Sequence, residues 1–180
     1  MRLIPPADFT TQAWKNGGGV THEIARADRD GQLLWRLSIA EVASDGPFSA
    51  FPGLSRILTV IDGAGLYLDT PDARLDALPL APLAFSGDLP VTSRLIGGPI
   101  RDLNVIFDGA KLGCRVTLIS GPARTACPIT QGGHFALLAL TPGLRCDQTG
   151  LPPGSVALFD GATLSATAAT QGLLVTFHAR

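Results

Sequence analysis

The chain is punctuated at short intervals, and between the marks apolar and polar residues tend to alternate. LLWRLSIAEV (33–42) sets Trp35, Leu37 and Ile39 on one face and Arg36, Ser38 and Ala40 on the other, the period-two repeat of an extended strand. SRILTVID (55–62), GLYLD (65–69) and LGCRVTLIS (112–120) behave similarly. HFALLAL (134–140), SVALFD (155–160) and GLLVTFHA (172–179) are near-continuous apolar runs, as expected of core strands. The punctuation is Asp-Gly at 30–31, 45–46, 62–63, 108–109 and 160–161, with Pro-Gly at 52–53, 142–143 and 153–154. These dipeptides favour turns because Gly, and less readily Asp, tolerates positive φ. No window of twelve or more residues sustains helical apolar spacing without a Gly or Pro interrupting it.

Many short strands at turn-delimited spacing predict an all-β sandwich or barrel. An internal echo sharpens this. LPLAPLAFSG (78–87) resembles LPPGSVALFDG (151–161), with Phe85 and Gly87 matching Phe159 and Gly161. SRILTVIDGAGLYL precedes the first, and HFALLALTPGL precedes the second. A strand, a turn and a proline-marked return strand suit a jelly roll. Two of them predict a double jelly roll, or bicupin, with little helix: one domain over 1–180, with approximate halves 1–110 and 111–180 that share strands.

Composition narrows the setting. Charged residues make up 16% of the 180, against about 25% in an average soluble domain, and mean hydropathy is +0.28. No stretch approaches the ~18 apolar residues of a membrane helix, so the apolar surface points instead to self-association, with a homodimer as the expectation. The net charge of −1 and the absence of basic blocks argue against nucleic acid. MRLIPPADF lacks the apolar core of a signal peptide. Cys114, Cys127 and Cys146 form no disulfide framework. Both features suit a reducing cytoplasm, and the cysteines read as small apolar residues.

Several chemistries fail on their motifs. Metal-binding cupins use His-x-His followed by Glu, but His22, His134 and His178 are far apart, so no metal or other cofactor is expected. WKNGGGVTHEI (14–24) puts Lys15 before its glycines and continues as a β-branched segment. It lacks both the Walker order and the helix that a phosphate loop needs. No Gly-x-Ser-x-Gly appears, and no catalytic residue is assigned. Glu23 and Glu41 lie on strands, where pairing with Arg26 or Arg36 accounts for a carboxylate.

What remains is polar residues in unusual places. Lys15 and Asn16 stand at the mouth of the first hairpin beside Trp14. DGPFSAFPGLSR (45–56) packs Phe48 and Phe51 around Ser49 and ends in Arg56. GGPIRDLNVIF (97–107) sets Asp102 and Asn104 on one strand face. Cations and amides beside aromatic walls suit a small carboxylate, which an Arg fork grips in a bidentate way. The competing account makes Asp102 and Arg56 an internal ion pair, with Asn104 capping a turn.

WKNGGGVTHEI, WRLSIAEVASDGPFSAFPGLSRILTVIDG (35–63) and GGPIRDLNVIF, in that order, closely resemble the HutD/Ves family. The resemblance implies a metal-free bicupin associated with histidine utilisation. It implies a regulator, or governor, that binds an acidic pathway intermediate such as formylglutamate or urocanate. Carried over by position, the ligand-binding residues are Trp14, Lys15, Asn16, Ser49, Phe51, Arg56, Asp102 and Asn104. Leu103 departs from the family's usual aromatic, and Phe107 ends the strand in place of a basic run. Two other functions stay open. One is a metal-free isomerase or hydrolase using Glu23 or His22 as base with Lys15 at the oxyanion. The other is an interaction or stress-response protein, as in Ves-like members.

Overall fold

The computed structural model describes residues 1–15 and 17–180; Asn16 lies outside the described residues. The strand runs form as the alternation predicts: Gln32–Val42, Ser55–Asp62, Leu66–Asp69, Ile100–Phe107, Leu112–Ser120, His134–Ala139, Val156–Phe159 and Gln171–Ala179. No α-helix occurs among the described residues, and one 3-10 turn spans Pro6–Asp8. The Asp-Gly signal is clearest at Asp30 (φ 53°) and Gly31 (φ 75°). Two successive left-handed residues make the tight hairpin that joins Gly19–Arg29 to Gln32–Val42, with the twist that neighbouring strands require.

The chain divides into two compact units, Thr10–Gly109 and Met1–Phe9 with Ala110–Arg180. Residues 1–9 thus group with the second half of the chain. The cause is local: Arg2–Ile4 pairs antiparallel with Val156–Phe159.

In the 10–109 unit a six-stranded sheet runs in the order Thr10–Ala13, Gly19–Arg29, Gln32–Val42, Ile100–Phe107, Ser55–Asp62, Leu83–Ser86. Its four-stranded sheet runs Gly46–Pro47, Thr92–Leu95, Leu66–Asp69, Arg74–Ala77. The other unit has a five-stranded sheet, Arg2–Ile4, Val156–Phe159, His134–Ala139, Gln171–Ala179, Leu112–Ser120. Its second sheet is Ala123–Cys127, Ala162–Ala166, Leu144–Cys146, Thr149–Gly150.

Starting from Gln32–Val42, eight strands visit the sheets in the order large, small, large, small, small, large, small, large. Starting from Leu112–Ser120, eight strands do the same, with the same lateral neighbours. Each unit is therefore one jelly roll, and the double jelly roll expected from the repeat is the fold. The echoed segments occupy equivalent places, Leu83–Ser86 in one roll and Val156–Phe159 in the other.

The second unit fills its interior with Phe135, Leu137, Leu144, Cys146, Leu164 and Leu174 among others. Phe135 stacks on Phe159 with ring centroids 5.3 Å apart. Cys127 and Cys146 belong to this core, and burial pushes the thiols of all three cysteines up, Cys114 to about 12. That is the behaviour of small apolar residues rather than of nucleophiles.

Candidate functional site

The inward face of the six-stranded sheet changes character along its length. Val42, Leu58, Val60 and Ile100 join Leu66 and Leu68 in an apolar cluster. Beyond it the ladders place Asp102 opposite Ala40 and Val60, Asn104 opposite Ser38 and Leu58, and Ile106 opposite Arg36 and Arg56. A cavity of about 500 Å³ opens at this polar end, walled by Arg36, Ser38, Arg56, Asp102 and Asn104. Trp14, Lys15, Phe48, Ser49 and Phe51 form its loop side.

Arg56 is only 4% exposed. Its guanidinium lies among three rings, 4.9 Å from the centroid of Phe85, 5.1 Å from Phe51 and 5.5 Å from Phe48. Such faces attract a cation and hold its plane in place. Nη1 donates to the Ser49 carbonyl and Nη2 to Asn104 Oδ1, each at 3.2 Å. Asn104 Nδ2 in turn donates to Asp102 Oδ1 at 3.1 Å. Arg56 Nε and Asp102 Oδ2 are buried without a partner among the described residues.

The predicted alternative is corrected on both counts. Asn104 sits inside a strand, not at a turn, and its amide stands between Arg56 and Asp102 as a relay.

Burial dominates the electrostatics. It pulls the Arg56 pKa down to about 10, against the attraction of Asp102 and with the help of nearby Arg36. The group stays cationic at neutral pH. Burial pushes the Asp102 carboxyl up to about 7, outweighing Arg56 and the Asn104 hydrogen bond. An acid so enclosed gives up its charge before it gives up its place.

The hairpin that closes the loop side is tightly built. Trp14 Nε1 donates to Thr21 Oγ1 at 2.8 Å, and the Trp14 ring meets Phe48 edge-on at 6.1 Å. A Cβ at Gly19 would collide with the Glu41 carbonyl oxygen and lie 3.1 Å from the indole. That glycine is there for close approach. Lys15 is exposed at the turn, with no acidic partner among the described residues.

Seven of the eight sequence-predicted residues border this cavity: Trp14, Lys15, Ser49, Phe51, Arg56, Asp102 and Asn104. Asn16 lies outside the described residues. Ser49 contributes its backbone carbonyl to Arg56. Sequence reasoning missed Arg36 and Ser38 as wall residues, although the alternation had set both on one face with Ala40. Arg36 Nε donates to Glu23 Oε2 at 2.6 Å, the pairing foreseen for that carboxylate. His22 is not among the wall residues; it contacts Thr11 (2.9 Å) and Glu41 (3.4 Å).

The donor set does not suit a divalent cation. The cavity wall presents Arg56 and an Asn-bound Asp102, and among the described residues no three His, Cys, Asp or Glu side chains converge. Two or more imidazoles or carboxylates directed at one point would be needed.

Comparison with known proteins agrees with the fold and names the family. A crystal structure of a conserved protein of unknown function from Pseudomonas aeruginosa PAO1 superposes with TM-score 0.87 at 29% identity, covering 98% of this chain and 97% of that one. HutD from Pseudomonas fluorescens SBW25, in its formate condition, gives 0.86 at 31% identity, with 99% and 98% covered. An uncharacterized 21.2 kDa protein from the region 3′ of hutC in Pseudomonas putida is 34% identical over 179 residues, 97% of this chain and 92% of its own. Bacillus subtilis oxalate decarboxylase, at 7% identity and TM-score 0.67 over 100% of this chain and 78% of that one, shares the bicupin fold alone. The HutD family model matches residues 6–176. The chain belongs to the HutD family, which is linked to histidine-utilisation genes.

Proposed function

We propose that this protein binds a small organic acid in the cavity of the 10–109 unit and through that binding moderates histidine utilisation. The observation that carries the reading is Arg56: a guanidinium 4% exposed, held by three aromatic rings, bordering a cavity of about 500 Å³ and retaining one N–H without an acceptor. A buried cation is costly unless something anionic meets it. Lys15 on the loop side adds positive potential, and the aromatic side excludes water. Acidic intermediates of histidine breakdown, formylglutamate and urocanate, fit this chemistry.

The test is a thermal-shift series with N-formylglutamate, urocanate and uncharged amide analogues. An acid at a hundred times its dissociation constant stabilises the fold by about 2.7 kcal/mol. Arg56→Met keeps the volume and removes the charge. It should weaken the acid about ten- to a hundredfold, the loss of one charge-assisted contact. A series in which no acid stabilises the protein, or in which Arg56→Met binds as well as the parent, defeats the reading.

A further inference from the structure

Resting on that reading, we infer that anion binding in this cavity is coupled to uptake of one proton at Asp102, so that the protein holds its acid more tightly as the pH falls. Asp102 is fully buried, lines the same cavity as Arg56, and has one oxygen taken by Asn104 and the other bare. The Asn104 amide joins the two ionisable groups. With the cavity free, an ionised Asp102 compensates Arg56. When a carboxylate arrives beside Arg56, two anions share one buried cation and one must be neutralised. The carboxylate keeps its charge against the guanidinium. The proton comes from solvent and rests on Oδ2 of Asp102, the oxygen that no donor occupies.

The neighbouring elements present few other charges to Asp102. Arg56 comes from Ser55–Asp62, Arg36 from Gln32–Val42 with Glu23 of Gly19–Arg29 paired to it, and Lys15 from the hairpin turn. Arg101, on the same strand as Asp102, is half-exposed and lies 3.6 Å from Glu41. Burial already brings the Asp102 carboxyl to about 7, so the coupling falls in the physiological range.

The experiment is titration calorimetry of the full chain with N-formylglutamate at pH 6 and pH 8, in two buffers of different ionisation enthalpy. The acid's carboxyl groups stay ionised throughout. We expect affinity about tenfold lower at pH 8 than at pH 6, and uptake of close to one proton per ligand at pH 8. Asp102→Asn should bind with one affinity at both pH values, whereas His22→Gln should keep the parent's pH dependence. Should Asp102→Asn fail to fold, the proton count of the parent still decides. Equal affinity with no proton uptake overturns the coupling while leaving acid binding intact. So does a slope that survives Asp102→Asn or vanishes in His22→Gln. No binding at either pH removes the binding reading, and this inference with it.

Discussion

The two jelly rolls follow one path and hold opposite interiors. The ladders put them in register, and equivalent positions can be compared directly. Arg56 pairs with Phe85 in one roll, and Phe135 pairs with Phe159 in the other. Asn104 faces Leu58 where Leu174 faces Leu137, and Asp102 faces Val60 where Gly172 faces Ala139. Three substitutions at matched sites thus convert a filled core into a charged hollow. In the second roll an aromatic ring stacks on the return strand's Phe. In the first, a guanidinium lies over the equivalent ring. The same backbone path accommodates either filling: an apolar core at these positions in one roll, and a polar cavity beside an apolar cluster in the other.

This division can be broken from either side. The largest effect is expected from Phe135→Ala, which opens the filled roll and should cost about 3–5 kcal/mol in urea unfolding. A cost below 1 kcal/mol would mean that this core carries little of the stability. Next comes the reverse exchange, Arg56→Phe with Asn104→Leu and Asp102→Gly, which copies the filled roll into the hollow one. Replacing buried charge by apolar volume should leave the fold unharmed or stabilise it by about 1–4 kcal/mol while abolishing acid binding. A clear loss of stability would show that the polar cluster supports the fold as well as the site.

A smaller effect is read from pH. Burial pushes the Asp102 carboxyl up to about 7 in the folded chain, against about 3.9 in an unfolded one. Its contribution is therefore fully present below about pH 4 and is lost as pH rises through about 7. Relative to Asp102→Asn, the parent should lose on the order of 1 kcal/mol per pH unit across that window. Urea midpoints for the two proteins at pH 5, 6 and 7 measure the difference, and a constant gap would dismiss the shifted carboxyl. The smallest change is Trp14→Phe in the hairpin Thr10–Arg29, a feature of the hollow roll. Loss of the Nε1–Thr21 hydrogen bond should cost about 0.5–1.5 kcal/mol. An unchanged denaturation midpoint would make that bond dispensable.

Much of the fold was legible because a jelly roll writes itself locally. Period-two alternation marked Gln32–Val42 and Ser55–Asp62 to within a residue, and Asp30-Gly31 marked its hairpin. The repeat was visible at Phe85 and Phe159, where both rolls turn an aromatic inward from the return strand. Pairing of Arg2–Ile4 with Val156–Phe159 was not legible, since nothing in RLI names a partner so far along the chain. At the site, Arg56 and the Asp102–Asn104 pair were readable as polar residues inside strand patterns. Arg36 was not singled out. Its strand is buried on both faces near Leu37 and Ile39, so alternation alone cannot tell which face turns to the cavity. The relay through Asn104 depends on Ser55–Asp62 pairing with Ile100–Phe107 so that Arg56 reaches Asn104, and that is a property of register.

The pairing of Arg2–Ile4 also sets an order of manufacture. Every strand of the hollow roll finds its partners within residues 10–109, so this roll has all its pieces before the second is half synthesised. Arg2–Ile4, made earlier still, must wait about 150 residues for Val156 to appear. Contacts so distant in sequence close late. A tag fused near Arg2 would therefore disturb the filled roll during its completion, while the roll of residues 10–109 had long since closed.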